Sequence, residues 1–166
     1  MIDRQSHSDT PGSGGLLTLS GDVGDRMVPT LLSIAKSTRA FLTLMLTEID
    51  LHPGQDQLLH RLELGVPVSV SALADLLAVR PSTVSKMLDR LVEKRLVERS
   101  AHRQDGRRTM VVLTPTGDEV KAQVKRIWGR LEADLVSALS TRESDSLTRA
   151  LIQVDALLTT KLRRLR

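Results

Sequence analysis

The spacing of apolar side chains predicts a chain that is mostly helical. Residues 28–49 place apolar side chains every three or four positions over about six turns, which is the pattern of one long helix. A Pro-Gly pair breaks this pattern, and a second helix is predicted over residues 53–64. The same spacing returns over residues 115–139 and 141–165, which predict two further long helices.

Short polar residues mark where several of these helices begin. Thr114 stands directly before a proline and is predicted to cap the helix that follows. Ser140 and Glu143 have the spacing of a capping box at the start of the last helix. Ser69 is the predicted start of a short helix in the middle of the chain.

The middle of the chain predicts two short helices joined by a tight turn. The first covers residues 69–77, and after a turn at 78–80 a second helix opens at Pro81 and continues to about residue 94. One face of this second helix is apolar, with Val84, Met87, Leu88 and Leu91. The other face carries mainly small polar and basic side chains, namely Ser82, Thr83, Ser85, Lys86, Asp89 and Arg90. This arrangement predicts a helix-turn-helix.

Two strands follow the helix-turn-helix. Residues 96–99 and 109–113 have the composition of short strands, and Asp105-Gly106 between them is a strong hairpin signal. The connecting segment, residues 102–108, is rich in arginine. A basic hairpin in this place is predicted to be a wing.

Positive charge is concentrated in this same part of the chain. Residues 80–108 hold nine Lys or Arg against four Asp or Glu, an excess of +5, although the whole chain carries only +4. A basic patch on an otherwise balanced protein indicates a polyanionic partner. The alternative is that these charges form an ordinary solvated face.

The amino-acid composition excludes several kinds of protein and of functional site. Phe41 and Trp128 are the only Phe, Trp or Tyr residues, so the core is expected to be aliphatic. The absence of cysteine excludes disulfides and thiolate chemistry. No apolar run has the length of a membrane span, and the polar N-terminus does not have the pattern of a signal peptide. We therefore expect a cytoplasmic protein. It contains none of the nucleophile-elbow, phosphate-loop or zinc-protease motifs, and we expect neither an enzyme nor a cofactor.

Beyond these patterns, the sequence resembles the MarR family of winged helix-turn-helix regulators. The wing carries the family's D-x-R as Asp105-Gly106-Arg107, followed at the expected offsets by Val111-Val112-Leu113-Thr114 and Gly117. Upstream, residues 73–77 and 81–86 are similar to the family's helix-turn-helix. The resemblance extends from Leu31 to Leu165, nearly the whole chain.

The expected fold class is therefore mainly α with a small β-wing. We predict a flexible tail over residues 1–24 and a MarR-like domain over 25–166. In this domain, residues 53–113 form the DNA-binding lobe, while 25–51 and 114–166 form dimerisation helices. A monomer of this size could not easily cover the apolar stripes of the long helices, so a homodimer is expected.

The resemblance implies roles for particular residues. On the second helix of the helix-turn-helix, the residues that enter or border the major groove of double-stranded DNA are Ser82, Thr83, Ser85, Lys86 and Arg90. In the wing, Arg107 reaches the minor groove, Asp105 orients a wing arginine, and Arg103 and Arg108 contact phosphates or support the wing. For Ser82 and Thr83, a role as helix-start residues is the alternative.

The family resemblance also implies a mechanism. We expect a homodimer on a pseudo-palindromic operator, acting as a repressor that a small-molecule effector releases. Trp128 and His60 are the candidate effector-binding residues, and Trp128 as an anchor of the dimer core is the alternative. An architectural protein that binds DNA without sequence preference is the alternative function.

Three positions depart from the family pattern. Arg80 stands at the expected N-cap of the recognition helix, where Ser or Thr is common. Arg95 replaces the glycine that often closes this helix with a positive φ, and His52 stands where a threonine often caps the second helix. These departures affect local geometry and remove no DNA-contacting group.

The histidines raise the possibility of a metal sensor. His52 and His60 lie near Glu48 and Glu63 in the sequence, but a zinc site needs three or four converging ligands. No H-x-x-x-H pair or cysteine accompanies them. We expect surface or capping histidines and no metal.

Overall fold

Helices and one small sheet alternate along the chain. The structure is a computed structural model, and it describes residues 23–101 and 109–165. The elements are α1 (Val23–Thr47), α2 (Gln55–His60), β1 (Val68–Ser69), α3 (Val70–Leu76), α4 (Pro81–Glu93), β2 (Val97–Ala101), β3 (Thr109–Leu113), α5 (Pro115–Ser137) and α6 (Thr141–Arg164). A mainly helical chain with a small sheet confirms the predicted fold class.

The chain divides into two compact units, Met1–Lys36 and Ser37–Arg166. The described part of the first unit is the N-terminal stretch of α1, which begins at Val23 and includes Pro29. Apolar side chains along this stretch are exposed, among them Met27, Val28 and Leu32.

Helix α2 is shorter than the sequence predicts. It covers only six residues, because Gly54 has a φ of 99° that no helical residue adopts. Two side chains stabilise this turn: the Gln55 Oε1 atom accepts from the His52 backbone N at 2.9 Å, and the Asp56 Oδ1 atom accepts from the Gly54 N at 2.7 Å. The prediction that Pro53 begins this helix and that it continues to Leu64 is wrong.

The helix-turn-helix is present where the sequence predicts it. Helix α3 starts at Ser69, whose side chain accepts a hydrogen bond from the Ala72 N at 3.1 Å. Helix α4 opens with Pro81 after Arg80, which occupies the N-cap position without a side-chain cap. The helix closes at Arg95, which has a φ of 57° although it is not a glycine, at a strain of about 1 kcal/mol.

The sheet has the order β1-β3-β2, and both pairings are antiparallel. Strands β2 and β3 pair from Val97 with Leu113 to Ala101 with Thr109, which makes them the base of the predicted wing. Strand β1 has two residues and is too short for an alternating pattern, so the sequence does not predict it. Residues 102–108, where the wing tip is predicted, lie outside the described residues.

The start of α5 packs closely against the residues that follow α4. The Thr114 hydroxyl accepts from the Gly117 N at 2.9 Å, which confirms the predicted cap, and lies 2.8 Å from the Arg95 carbonyl oxygen. A Cβ on Gly117 would lie 1.9 Å from the Leu96 carbonyl oxygen, so only glycine fits here. The predicted capping box of Ser140 and Glu143 is likewise present at the start of α6.

The core is aliphatic and lies inside the winged lobe and the first half of α5. Fully buried side chains come from α2, α3, α4, the sheet and α5, and include Leu58, Leu73, Leu88, Val111 and Val124. Helix α6 buries no residue completely. None of the described helices combines the length and apolarity needed to cross a bilayer.

Candidate nucleic-acid interface

Helix α4 presents a polar face to solvent. Val84, Leu88 and Leu91 are completely buried on its inner side. The side chains of Ser82, Thr83, Lys86 and Arg90 are exposed, and that of Ser85 is half-buried. Since residues three and four apart share a helix face, the structure brings the predicted base-contacting residues together on one surface.

Arg99 on β2 joins this helix to the wing base. Its Nη1 atom donates to the Asp89 Oδ1 at 2.7 Å, and its Nη2 atom donates to the Ser85 carbonyl oxygen at 2.8 Å. One guanidinium therefore fixes the orientation of α4 relative to the sheet. Sequence analysis missed Arg99, because strand periodicity does not reveal which helix residue a strand side chain meets.

A cleft of about 350 Å³ lies where α3, α4 and the sheet meet. Its lining includes four residues with hydroxyl groups and one with a guanidinium, together with Val70 and Pro81; the five polar residues are Ser69, Ser71, Ser85, Arg99 and Thr109. Such groups donate to phosphate oxygens in protein–DNA interfaces. The cleft and the exposed face of α4 together form a candidate interface for a polyanion.

The four predicted wing contacts, Arg103, Asp105, Arg107 and Arg108, fall within residues 102–108 and lie outside the described residues. Their predicted roles therefore remain predictions from the sequence. The described part of β2 ends at Ala101, and β3 begins at Thr109.

The C-terminal end of α4 is tied to the end of α1. Lys94 forms a salt bridge with Asp50, with Nζ and Oδ2 2.7 Å apart, and also donates to the Asp50 carbonyl oxygen. The hydrogen bond and charge of Lys94 hold the pKa of Asp50 below its usual range. Asp50 has a φ of 54°, so the chain turns sharply at this contact.

The two candidate effector residues are in contact. The rings of His60 and Trp128 lie 4.8 Å apart between centroids and are tilted by 46°. The Trp128 Nε1–H donates to the Asp56 Oδ2 at 3.1 Å, and Asp56 is only 1% exposed. We call Asp56, His60 and Trp128 the α2–α5 joint. The sequence did not indicate Asp56, which lies 72 residues from its partner.

Two hollows adjoin this joint. A cavity of about 570 Å³ between α2, the end of α3 and α6 is lined by polar and apolar groups that include His60, Arg61, Leu77, Trp128 and Arg163. A second, apolar groove of about 370 Å³ lies mainly between α5 and α6. Trp128 lines both, so its indole ring forms part of the wall of each hollow.

A buried lysine makes a second link between the lobe and α5. Lys121 is 3% exposed and donates to the Leu62 carbonyl oxygen and, at 2.8 Å, to the Glu63 Oε1. This hydrogen bond and the charge of Lys121 lower the pKa of Glu63. In residues 23–101 and 109–165 no three His, Asp or Glu side chains come together in a way that could hold a metal ion.

The helices α5 and α6 expose large apolar side chains. Those that line the apolar groove include Leu135, Val136, Leu147 and Leu151, which are between 42% and 59% exposed. Farther along α6, Ile152, Leu157 and Leu158 are also more than half exposed. Apolar side chains clustered in this way are typical of interaction surfaces.

Comparison with known proteins points to one family. Residues 49–108 match the sequence model of the MarR family. The uncharacterized HTH-type transcriptional regulator YhbI of Bacillus subtilis (strain 168) is 25% identical over 119 residues, which are 72% of this chain and 77% of the relative.

Solved structures share this fold. A MarR protein from Peptoclostridium difficile superposes with a TM-score of 0.79 over 98% of this chain and 100% of its own, at 16% identity. A cysteine-to-serine mutant of MarR from E. coli, crystallised with operator DNA, gives a TM-score of 0.69 at 25% identity and covers 81% of this chain and 99% of its own.

Proposed function

This chain carries a winged helix-turn-helix of the MarR family, and from that premise we propose that it is a sequence-specific transcription regulator that binds operator DNA. It acts as a DNA-binding protein in the cytoplasm and not as an enzyme. The observation that carries the proposal is the exposed face of α4, where Ser82, Thr83, Lys86 and Arg90 stand opposite a fully buried core face. The operator complex of the E. coli relative supports it.

In the proposed complex, α4 enters the major groove. Lys86 and Arg90 reach the acceptor atoms of guanine, while Ser82, Thr83 and Ser85 contact phosphates or base edges. The wing lies along the DNA backbone. Arg107 enters the minor groove, Asp105 orients a neighbouring arginine, and Arg103 and Arg108 contact phosphates or support the wing.

We further propose a homodimer. Two recognition helices read successive major grooves only when they are about 34–36 Å apart, which requires two copies of this lobe on a pseudo-palindromic site. The exposed apolar side chains of α5 and α6 supply a surface for the second copy. The same surface in a monomer would be in contact with water, which is unfavourable for side chains of this size.

The regulator is proposed to be a repressor that a small molecule releases. The cavity beside His60 and Trp128 has the size of a small-ligand site and lies between the lobe and the long helices. A ligand that prefers one arrangement of these parts changes the spacing of the recognition helices. In the alternative role, Trp128 anchors the dimer through the apolar groove that it also lines.

A gel-shift titration tests the proposal. The full chain is titrated with the DNA upstream of its own gene and with a scrambled duplex of equal length, at two salt concentrations. A tight shift on the native duplex alone, retained at high salt, supports a sequence-specific regulator. Equal and salt-sensitive binding to every duplex, including duplexes selected from random sequence, supports the architectural alternative.

A pair of variants tests the wing. Arg107→Ala is expected to weaken operator binding by roughly 1–3 kcal/mol, with the largest loss on sites that have A·T-rich flanks. Lys161→Ala removes an equal charge near the end of α6 and is expected to have little effect. If both variants lose the same affinity in the gel shift, Arg107 does not make the proposed minor-groove contact.

A further inference from the structure

The α2–α5 joint connects the part of the molecule that carries α4 to the long helix α5. On one side, Leu58 and Leu59 of α2 belong to the same buried core as Leu88 and Leu91 of α4. At the start of α2, a Cβ on Gly54 would lie 3.0 Å from the Met87 sulfur. Val124 and Ile127 of α5 belong to this core as well, so a rearrangement at Trp128 repacks α2 against α5, and α4, which packs against α2, is displaced with it.

The joint is held by one buried hydrogen bond. The Trp128 indole N–H donates to Asp56, which is almost completely buried and also accepts from the backbone N of Gly54. If the indole moves away, one carboxylate oxygen loses its donor in a place that water does not reach. A buried acceptor without a partner is costly, so the position of the indole and that of α2 are coupled.

His60 packs against the same indole with a nitrogen that has no partner. Its Nδ1 atom is buried and without a hydrogen bond in the described part of the chain. In the neutral ring this atom is a hydrogen-bond acceptor without a donor, and the energetic cost of that is small. Protonation of Nδ1 would create a charged donor with no acceptor, and a buried charge without a partner is far more costly.

The charges around His60 also oppose protonation. Burial is the largest cause that lowers the pKa of His60, followed by the charges of Arg61, Lys121 and Lys125, whereas Glu63 acts in the opposite direction. Two further charged residues, Arg163 and Asp155 of α6, line the cavity beside the His60 ring and have opposite charges. The aromatic face of Trp128 attracts a cation and so acts in the same direction as Glu63.

We propose that His60 is a proton-binding site that controls the α2–α5 joint, so that acid pH loosens the joint and weakens operator binding. The link to the operator rests on the proposed function. We call the arrangement seen in the structure, with His60 against Trp128, the closed joint. The neutral ring of His60 stabilises it at neutral pH. A proton that enters through the cavity favours a second, open arrangement, in which the imidazolium is in contact with water. Since α2 and α4 share a core, that arrangement changes the placement of α4.

The sign of the effect follows from the direction of the shift. Because the pKa of His60 in the folded protein is lowered from 6.5, the closed joint binds a proton less well than the open one. The contribution of the neutral His60 ring to the stability of the closed joint is present above about pH 6.5 and is lost as the pH falls through the pKa of His60 in the folded protein. Each unit of difference in pKa between two arrangements changes their ratio about tenfold.

Fluorescence tests the joint without DNA. Trp128 is the single tryptophan of the chain, so the tryptophan emission comes only from the indole of this contact. In the full-length protein the emission is expected to titrate between pH 7.5 and pH 5.0 with a midpoint below 6.5. The change is expected to disappear in His60→Gln and to persist in His52→Gln, which alters an exposed histidine. Identical titrations in the wild type and His60→Gln overturn the proposal.

A second measurement tests the effect on DNA. The probe is a duplex that the wild-type protein selects from random-sequence DNA at pH 7.5, with a scrambled duplex as the control. From pH 7.5 to 5.0 the wild type is expected to lose about three- to tenfold in affinity for the selected duplex relative to the scrambled one, whereas His60→Gln does not. Equal losses in both proteins overturn the link to operator binding.

Two precautions keep these outcomes separate. If His60→Gln does not fold, as judged by circular dichroism at pH 7.5, His60→Leu provides a second side chain that does not titrate. If no duplex is selected at all, the proposed function fails, and the fluorescence titration still decides whether His60 controls the joint.

Discussion

At the scale of single residues, Gly117 is the described glycine at which an added Cβ would meet the closest contact. It lies in the first turn of α5, and a Cβ there would lie 1.9 Å from the Leu96 carbonyl oxygen and 2.8 Å from the Leu113 Cδ1. Neither atom can easily withdraw, because Leu96 follows the turn at Arg95 and Leu113 belongs to the core. The need for glycine at position 117 is therefore explained by close approach and not by an unusual backbone angle.

Gly117→Ala is expected to lower the free energy of unfolding by about 1–3 kcal/mol, since the added methyl group overpacks this contact. Gly129→Ala is the matched control on the same helix, because no atom lies within 4 Å of its Cβ position. That variant is expected to gain about 0.5–1 kcal/mol from the better helix propensity of alanine. Urea denaturation measures both, and a gain in stability for Gly117→Ala would contradict this account.

Residue-scale features were predictable wherever a few neighbouring positions determine them. The caps at Ser69, Thr114 and Ser140 depend on local backbone geometry, and the structure confirms all three. The Asp56–Trp128 hydrogen bond joins side chains that are 72 residues apart. No local pattern indicates such a pair, because the fold alone brings the two residues together.

At the scale of elements, the relation between α4 and β2 depends on Arg99. Its two nitrogens contact the Asp89 carboxylate and the Ser85 carbonyl oxygen at the same time. The ion pair is partly exposed and by itself contributes only about 0–1 kcal/mol to stability. Its proposed importance is geometric, since it fixes the helix that carries Lys86 and Arg90 against the base of the wing.

Arg99→Lys retains the charge but cannot contact both partners in the same way. We expect the variant to unfold at nearly the wild-type urea concentration and to lose about 1 kcal/mol, roughly fivefold, in operator affinity because α4 is less well oriented. Affinity for scrambled DNA is expected to stay the same, and fluorescence anisotropy on both duplexes measures the difference. An equal loss on both would indicate that Arg99 acts as a phosphate contact and not as a positioning residue.

Element boundaries were less predictable than element types. The long helices follow from apolar periodicity, but α2 is cut to six residues by the φ of Gly54 and by the hydrogen bonds of Gln55 and Asp56. Strand β1 exists only because Val68 and Ser69 pair with Val111 and Met110. Both features arise from tertiary contacts, which override the local preference of the sequence.

At the scale of the whole molecule, the uneven distribution of buried residues requires an explanation. The winged lobe has a closed aliphatic core, whereas α6 has no fully buried residue and exposes Ile152, Leu157 and Leu158 on a helix of 24 residues. A solvated helix with so many exposed apolar side chains is unfavourable by itself. The proposed homodimer removes this conflict, because the apolar groove between α5 and α6 can then be covered by the second copy.

Leu147→Asp tests this interpretation, because Leu147 lines the apolar groove and is 46% exposed. Full burial of a leucine contributes about 1.5–3 kcal/mol, so covering the 46% that is exposed contributes roughly 0.7–1.4 kcal/mol. A two-fold axis counts each substitution twice, so the dimer is expected to lose about 1.4–2.8 kcal/mol. That loss raises the dimer Kd by about 10- to 100-fold, which sedimentation velocity over a concentration series measures. Operator binding is expected to weaken in parallel, because a single lobe reads only a half-site.

Val66→Asp is the control for that measurement, since Val66 is 52% exposed but lies in the loop between α2 and β1 and does not line the apolar groove. It introduces the same charge at a similar exposure and is expected to leave the sedimentation coefficient unchanged. A dimer that tolerates Leu147→Asp as well as Val66→Asp would place the interface elsewhere. The exposed apolar face of α5 and α6 would then need another partner, and the spacing of two recognition helices would have to be set by a different surface.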